Sequence, residues 1–396
     1  MYNVRNVAEG IYWLGASDRR LELFENAYPV PNGMSYNNYV IIDDKTCLVD
    51  GIDDAVTRQF MENLDHVLAG RTLDYMVVHH MEPDHCSAIP ELLTKYPDMK
   101  IVASQKAIQM IDQFYHLKVD AVAVKEKDTL ELGKHTLNFI AAPMVHWPEV
   151  MMSFDSYTGA FFSADAFGAF GAMSGNIFAD EVDWEKDWAD EARRYYANIV
   201  GKYGAQTTAV LKKASALDIR MILPLHGHLW RKDFNLLLDR YNKWASYTPE
   251  KDSVVIFYGS VYGNTANAAD ILAMKLAEKG LKDVRVYDVS KTTVSELVSR
   301  AFEYSKIVFA SSTYNAEIFD HMHTLLTDLE NHNLSNRTVG IIENGSWAPT
   351  AGKKITEILG NMKNMTVLEP LVSVKSSLDG TSLAKLEELA DALTAK

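Results

Sequence analysis

The chain is poor in cysteine: Cys47 and Cys86 are the only two thiols in 396 residues. That excludes a disulfide framework and any four-thiolate iron or zinc centre built from this chain alone, and it fits a reducing cytoplasm. No apolar run approaches the roughly 18 residues of a membrane span. The opening MYNVRNVAEG lacks the basic-then-apolar pattern of a secretion signal. Basic residues are in deficit, 39 against 53 acidic for a net charge of -14, which argues against nucleic acid as a partner. Neither G-x-x-x-x-G-K nor G-x-G-x-x-G occurs, so no ATP, GTP or dinucleotide fingerprint is expected. Internal repeats and low-complexity tracts are missing as well.

What is present falls into two styles. Up to about residue 245 the chain is rich in short β-type runs: YNNYVII, KTCLVDG, LDYMVV, MKIVAS, TLNFIAA, EVMMSFD and TGAFFSA. Asp43-Asp44 and residues 155–159 read as hairpin turns, and residues 105–115 and 184–202 read as helices. This predicts a mixed sheet layered with helices. A helix over residues 234–247 precedes the polar stretch Thr248-Pro249-Glu250-Lys251-Asp252, and then the pattern changes. From Val254 onward strands and helices alternate, and Val294, Leu297, Val298 and Ala301 form one apolar helical face. Such alternation with Val/Ile-rich strands predicts a parallel sheet covered on both sides. The expected domains are 1–250 and 251–396.

The densest chemistry is HHMEPDHCS at residues 79–87, directly after the apolar run Tyr75-Met76-Val77-Val78. His80, Glu82, Asp84 and His85 spell H-x-E-x-D-H. Three other strand ends offer partners: His146 after LNFIAAPMV, Asp165 after AFFSA and His226 after RMILPL. Four imidazoles and three carboxylates exceed what one tetrahedral ion takes, whereas a carboxylate shared between two ions would use all seven. With His79 included, so many ionisable groups in one turn are costly to bury without a cation. His79 is expected to point away from its neighbour His80. His66, His116, His135, His321, His323 and His332 read as ordinary, and Cys86 as a small buried residue. His226 and His228 compete across Gly227.

Three loops of the second half sit at successive strand ends, where open α/β sheets bind ligands. Ser260-Val261-Tyr262-Gly263-Asn264-Thr265 leads into a helix, and its hydroxyls and backbone N–H groups can cradle a phosphate without a basic side chain. After KIVFA comes Ser311-Ser312-Thr313-Tyr314-Asn315, and after VGII comes Glu343-Asn344-Gly345-Ser346-Trp347. Tyr314 and Trp347 offer planes to a flat ring.

The first half resembles the metallo-β-lactamase fold, an αββα sandwich whose usual signature is H-x-H-x-D-H. Here Glu82 replaces the second histidine. With His146-Trp147-Pro148, Asp165 and LHGHLWR, the chain is similar to the flavodiiron proteins over essentially its whole length. The resemblance implies that the sandwich is followed by a flavodoxin-like doubly wound sheet. It implies that His80, Glu82 and His146 bind one iron, that Asp84, His85 and His226 bind the other, and that Asp165 bridges. It selects His226 over His228, although His228 follows Gly227 where the family often has proline, so a supporting role for His228 stays open. It also implies FMN, with residues 260–265 as phosphate loop and Ser312, Thr313, Tyr314, Asn315, Asn344, Gly345, Ser346 and Trp347 flanking the isoalloxazine. Exchanging an imidazole for a carboxylate favours iron or manganese over zinc, and so redox over hydrolysis.

The implied activity is terminal reduction of O2 to water, of NO to N2O, or of both. With only two thiols the chain needs an external electron donor, a rubredoxin or, in methanogens, reduced coenzyme F420, and nothing in the sequence chooses between them. The linker over residues 247–253 spans at most about 25 Å. The family overcomes such separation as a head-to-tail homodimer, which is expected here, alone or paired into a tetramer. Trp147 is expected either to wall the metal pocket or simply to pack. Two rival readings remain: a binuclear zinc hydrolase with an attached flavodoxin, distinguished by metal content, and a non-catalytic electron carrier, distinguished by slow reoxidation that releases peroxide.

Overall fold

The computed structural model describes residues 2–395. By internal contact the chain forms two compact units: residues up to Tyr196 with Ala205–Tyr241, and Ala197–Gly204 with the residues from Asn242 onward.

The first unit contains two sheets. The larger runs in the order Arg5–Ala8, Ile11–Trp13, Tyr39–Ile42, Thr46–Val49, Tyr75–Val78, Lys100–Ser104, Ala121–Val124. The smaller runs Thr129–Glu131, Thr136–Ala141, Met151–Asp155, Ala160–Phe162, Met221–Leu223. Ile11, Tyr39, Val49, Val77 and Val102 from one sheet share a core with Leu137, Phe139, Met151, Phe162 and Leu223 from the other. Burying each such side chain contributes about 1.5–3 kcal/mol, which holds the sheets face to face. The turn at Asp43-Asp44 closes an antiparallel pair, as does the turn after Asp155. Helix Gln105–Tyr115 starts where Ser104 accepts a hydrogen bond from the Ala107 N–H, and it stops at His116 with φ of 53°.

The helix expected over residues 184–202 is broken into Trp184–Asp187, Ala189–Tyr195, a π-turn at Tyr196–Val200 and a 3-10 turn at Gly201–Tyr203. Trp188 leaves helical geometry (φ -131°, ψ -21°) as its ring packs perpendicular to His228, 4.3 Å between centroids. Tertiary packing overrides a local periodicity that would have continued.

Strand direction explains where the polar cluster lies. Thr136–Ala141 and Ala160–Phe162 are each antiparallel to Met151–Asp155, hence parallel to one another, and Met221–Leu223 is parallel to Ala160–Phe162. Their carboxyl ends therefore share one edge of the smaller sheet, and the loops leaving that edge carry His146, Asp165 and His226.

The second unit is a parallel sheet in the order Arg285–Asp288, Lys251–Gly259, Tyr304–Tyr314, Arg337–Asn344, with Met365–Val367 and Val372–Val374 both alongside the last. Taken in chain order this is 2-1-3-4-5, a doubly wound arrangement. Val254, Ile256, Val308 and Ile342 meet Leu272 and Leu389 in its core. Helix Val294–Glu303 buries Leu297, Val298 and Ala301 and is capped by Thr293, which accepts from the Glu296 N–H.

Candidate metal centre and cofactor cavity

His80 and Glu82 leave the end of strand Tyr75–Val78, while Asp84 and His85 lie on the one-turn helix Pro83–Cys86, with Pro83 at its first position. Donor atoms of His80, Glu82, His146 and Asp165 lie within 4.8 Å of one another, and so do those of Asp84, His85 and His226. Asp165 reaches both groups, one oxygen each. Its Oδ2 lies 3.3 Å from the Nε2 atoms of His80 and His146. Its Oδ1 lies 3.1 Å from His85 Nε2 and 3.4 Å from His226 Nε2.

These residues fit a pair of cations better than they fit each other. Asp84 Oδ1 and Oδ2, Asp165 Oδ2 and His226 Nε2 are buried without a hydrogen-bond partner. Burial pushes the Asp84 carboxyl well above its ordinary range, with Glu82 and Asp165 adding to the effect against the pull of His85. Asp165 and Glu82 are driven up by burial too, yet the surrounding imidazoles hold both well below the usual range. Packing such groups together is expensive unless metal charge neutralises them. The donor set is oxygen and nitrogen only: Cys86 Sγ turns to the Tyr115 hydroxyl at 3.1 Å, and burial pushes its thiol up to about 12.

Other residues hold the donors in place. His80 Nδ1 lies 2.8 Å from Glu149 Oε1, which also accepts the Met81 N–H at 3.0 Å. His226 Nδ1 donates to the Ser35 carbonyl at 2.7 Å. Trp147 sets its edge against His80, 5.0 Å between centroids at 88°, and lies 6.1 Å from His146. Glu149 went unremarked in the sequence, although an acid three residues after His146 was a usable signal. Tyr195 also escaped notice: it is fully buried, its ring lies 5.5 Å from that of His226, and its hydroxyl has no partner. Glu25 is the third omission. It lies at the tip of hairpin Leu23–Phe24/Tyr28–Pro29, where Glu25 and Asn26 have φ of 50° and 53°. Its carboxyl, pushed up to about 8 by desolvation and by a hydrogen bond to Glu82, faces the cluster.

His79 turns away, with Nδ1 2.6 Å from Asp50 Oδ2 and Nε2 2.9 Å from Ser153 Oγ. His228 is not among the clustered donors. It packs on Trp188 and bonds the Asn176 carbonyl.

In the second unit a cavity of about 730 Å³ is lined by Ser260, Val261, Tyr262, Asn264, Thr265, Ser312, Thr313, Tyr314, Asn315, Asn344, Gly345, Ser346 and Trp347. Gly263 is not in the lining. It caps helix Asn264–Glu278 with φ of 92° and donates its N–H to Ser260 Oγ at 3.0 Å. Thr265 Oγ1 and Ser312 Oγ lie 2.9 Å apart, tying the phosphate-type loop to its neighbour. Ala316, Ala348 and Ser376 complete the wall. Ser376 lies just past Val372–Val374, the strand beside Arg337–Asn344, and holds Asn344 Oδ1 with its N–H at 3.1 Å and Asn344 Nδ2 with its carbonyl at 3.0 Å. Tyr262 and Trp347 are 94% and 93% exposed, a large apolar area that a flat aromatic ligand would cover.

An αββα sandwich with a two-position metal cluster, joined to a doubly wound sheet with an aromatic-rimmed cavity, defines a metallo-β-lactamase-like unit coupled to a flavodoxin-like unit. Residues 34–227 match the ODP family beta lactamase and residues 256–388 match flavodoxin. The chain is 30% identical over 394 residues to the nitric oxide reductase of Moorella thermoacetica, covering 98% of each. The rubredoxin oxygen:oxidoreductase of Desulfovibrio gigas superposes with TM-score 0.91 at 26% identity, over 99% of this chain and 98% of that one. A variant of the flavo-di-iron protein of Thermotoga maritima superposes with TM-score 0.90 at 27% identity, over the same shares. This chain belongs to the flavodiiron proteins.

Proposed function

We propose that the protein reduces O2 to water, NO to N2O, or both, with FMN and two irons per chain. The observation that carries this is the split of seven buried donors into two groups that share Asp165, in a chain that also has a flavin-sized cavity. His80, Glu82 and His146 are assigned to one iron, Asp84, His85 and His226 to the other, and Asp165 to the bridge. FMN would occupy the cavity lined by residues 260–262, 264, 265, 312–315 and 344–347, with Gly263 turning the phosphate loop, and the domains are 1–250 and 251–396. Reduced flavin and a ferrous pair together supply the four electrons that turn O2 and four protons into two waters, or the two that turn two NO and two protons into N2O and water.

The protein's own residues position and exclude. Glu149 and the Ser35 carbonyl fix the tautomers of His80 and His226 so that each presents Nε2 to a metal. Phe24, Trp147 and Tyr195 form aromatic walls that restrict entry to small ligands. The Tyr195 hydroxyl, lacking an internal partner, is free to donate to a bound ligand.

The donor is a rubredoxin or reduced F420, and the name of the Desulfovibrio relative favours the first. A head-to-tail homodimer, alone or within a tetramer, would cover Tyr262 and Trp347 together with the flavin. Two buried free thiols fit a cytoplasmic setting, and no helix among the described residues is long and apolar enough to cross a membrane. The test is metal and flavin analysis followed by anaerobic assays with O2 and with NO, each donor supplied in turn. Two irons, one FMN and gas consumption support the proposal. Two zincs with ester hydrolysis would replace it with the hydrolase reading.

A further inference from the structure

The two metal positions are offered matched donors and differ in what stands behind them. Each has two imidazoles and one carboxylate of its own, with Asp165 between. Behind His80 stands a second carboxylate, Glu149, 2.8 Å from Nδ1 and only 2% exposed. Besides His80, only main-chain N–H groups such as that of Met81 reach this carboxylate, and its Oε2 has no partner. Behind His226 stands the uncharged carbonyl of Ser35, and His85 Nδ1 has no partner at all.

A carboxylate that accepts the Nδ1 proton gives an imidazole more anionic character and makes Nε2 a stronger donor. A carbonyl contributes a dipole without net charge. In a buried setting the difference is weakly screened.

We propose that Glu149 is a positioning residue that breaks the symmetry of the pair. It makes the position held by His80, Glu82 and His146 the more strongly donated of the two, and so the one oxidised first when the pair loses a single electron. The inference rests on the ligand assignment proposed above. The step involves one electron: a ferrous ion at that position becomes ferric, the electron passes to the added oxidant, and no bond breaks or forms.

The test uses isotope-enriched, flavin-loaded protein, reduced anaerobically and titrated with ferricyanide to one ferric and one ferrous ion per chain, then read by Mössbauer spectroscopy. In Glu149→Gln, which keeps the shape and the Met81 contact, the ferric component is expected to shift while the ferrous doublet stays. The constant favouring the mixed state should fall about tenfold, equivalent to 59 mV for one electron. Glu149→Asp keeps the charge and should restore part of both, and it carries the same comparison if the glutamine variant binds iron poorly. A shift in the ferrous doublet instead, or wild-type spectra and an unchanged constant in iron-replete Glu149→Gln, overturns the inference. A wild-type protein without an iron pair overturns the ligand assignment itself, a separate outcome.

Discussion

His226 Nε2 and Asp84 Oδ2 stand 3.2 Å apart, both buried and neither with a hydrogen-bond partner. The single proton of a neutral His226 is committed to the Ser35 carbonyl, and burial keeps its pKa below the ordinary histidine range. A bare nitrogen lone pair therefore faces a carboxyl that burial drives well above its ordinary range, an arrangement that a cation would relieve on both sides. Removing metal should accordingly weaken the first unit. Binding at a hundredfold excess over Kd contributes about 2.7 kcal/mol per site. A chelator should lower its thermal midpoint, and returned ferrous ion should restore it. An unchanged melting curve after complete metal removal would deny the cluster its assigned role.

Glu82 Oε2 lies 3.2 Å from His80 Nε2 and 3.1 Å from His146 Nε2, which puts its carboxylate at the centre of one proposed metal position. Glu82→Ala should lose iron from that position and abolish gas turnover while FMN stays at one per chain, because every cavity residue lies beyond position 259. Iron and flavin assays on the purified variant check this, and normal turnover would remove Glu82 from the chemistry.

The donor cluster was legible because packing alone seldom puts so many polar residues at the ends of apolar strands, and strand order then brought His80, His146, Asp165 and His226 together. Pairing Asp84 and His85 on a helical turn was less visible, since Pro83 marks both a turn and a helix start. Glu149 was faintly legible, as an acid three residues after His146, whereas Tyr195 and Glu25 were not. Their importance depends on which way a loop, the last residue of a helix and a hairpin tip face, and local periodicity does not encode that. Ser376 escaped for a related reason: a strand register, not a motif, brings it to Asn344. The unbroken helix expected over residues 184–202 failed because Trp188 packs on His228.

Trp347 and Tyr262 contribute little to the flavin-free fold, exposed as they are. Their removal should therefore be read almost wholly in flavin affinity. A well-placed aromatic contact contributes about 0.5–1.5 kcal/mol beyond the area it covers. Trp347→Ala should raise the FMN Kd about tenfold with no loss of iron, measured by quenching of flavin fluorescence. An unchanged Kd would place the isoalloxazine elsewhere.

Arg337 is 2% exposed and faces main-chain carbonyls: Ala301 at 3.0 Å, Phe302 at 2.8 Å, Tyr247 at 2.7 Å and Ser335 at 2.8 Å. Methionine fills the space but strands these acceptors, each costly to leave unpaired in the interior. Arg337→Met should destabilise the second unit by about 3 kcal/mol, seen as a lower urea midpoint for flavin release. A midpoint equal to wild type would mean that water satisfies the carbonyls instead.

His228 provides the clearest pH dependence outside the metal cluster. Burial pushes its pKa from 6.5 down to about 4, only partly countered by its bond to the Asn176 carbonyl. The unfolded chain then binds the extra proton first as pH falls, so stability is fully present above 6.5 and declines between 6.5 and 4. Integrated over that window, the loss is about 3 kcal/mol. Glutamine places an amide N–H near the position of Nε2 and can keep the Asn176 bond, but it does not titrate. The stability advantage of wild type over His228→Gln should therefore shrink by about that amount from pH 7 to pH 4. Denaturant unfolding of both proteins across the range, compared at each pH, isolates the contribution of His228 from the carboxylates that titrate in both. Parallel curves would show that His228 keeps its ordinary affinity for protons despite its burial against Trp188.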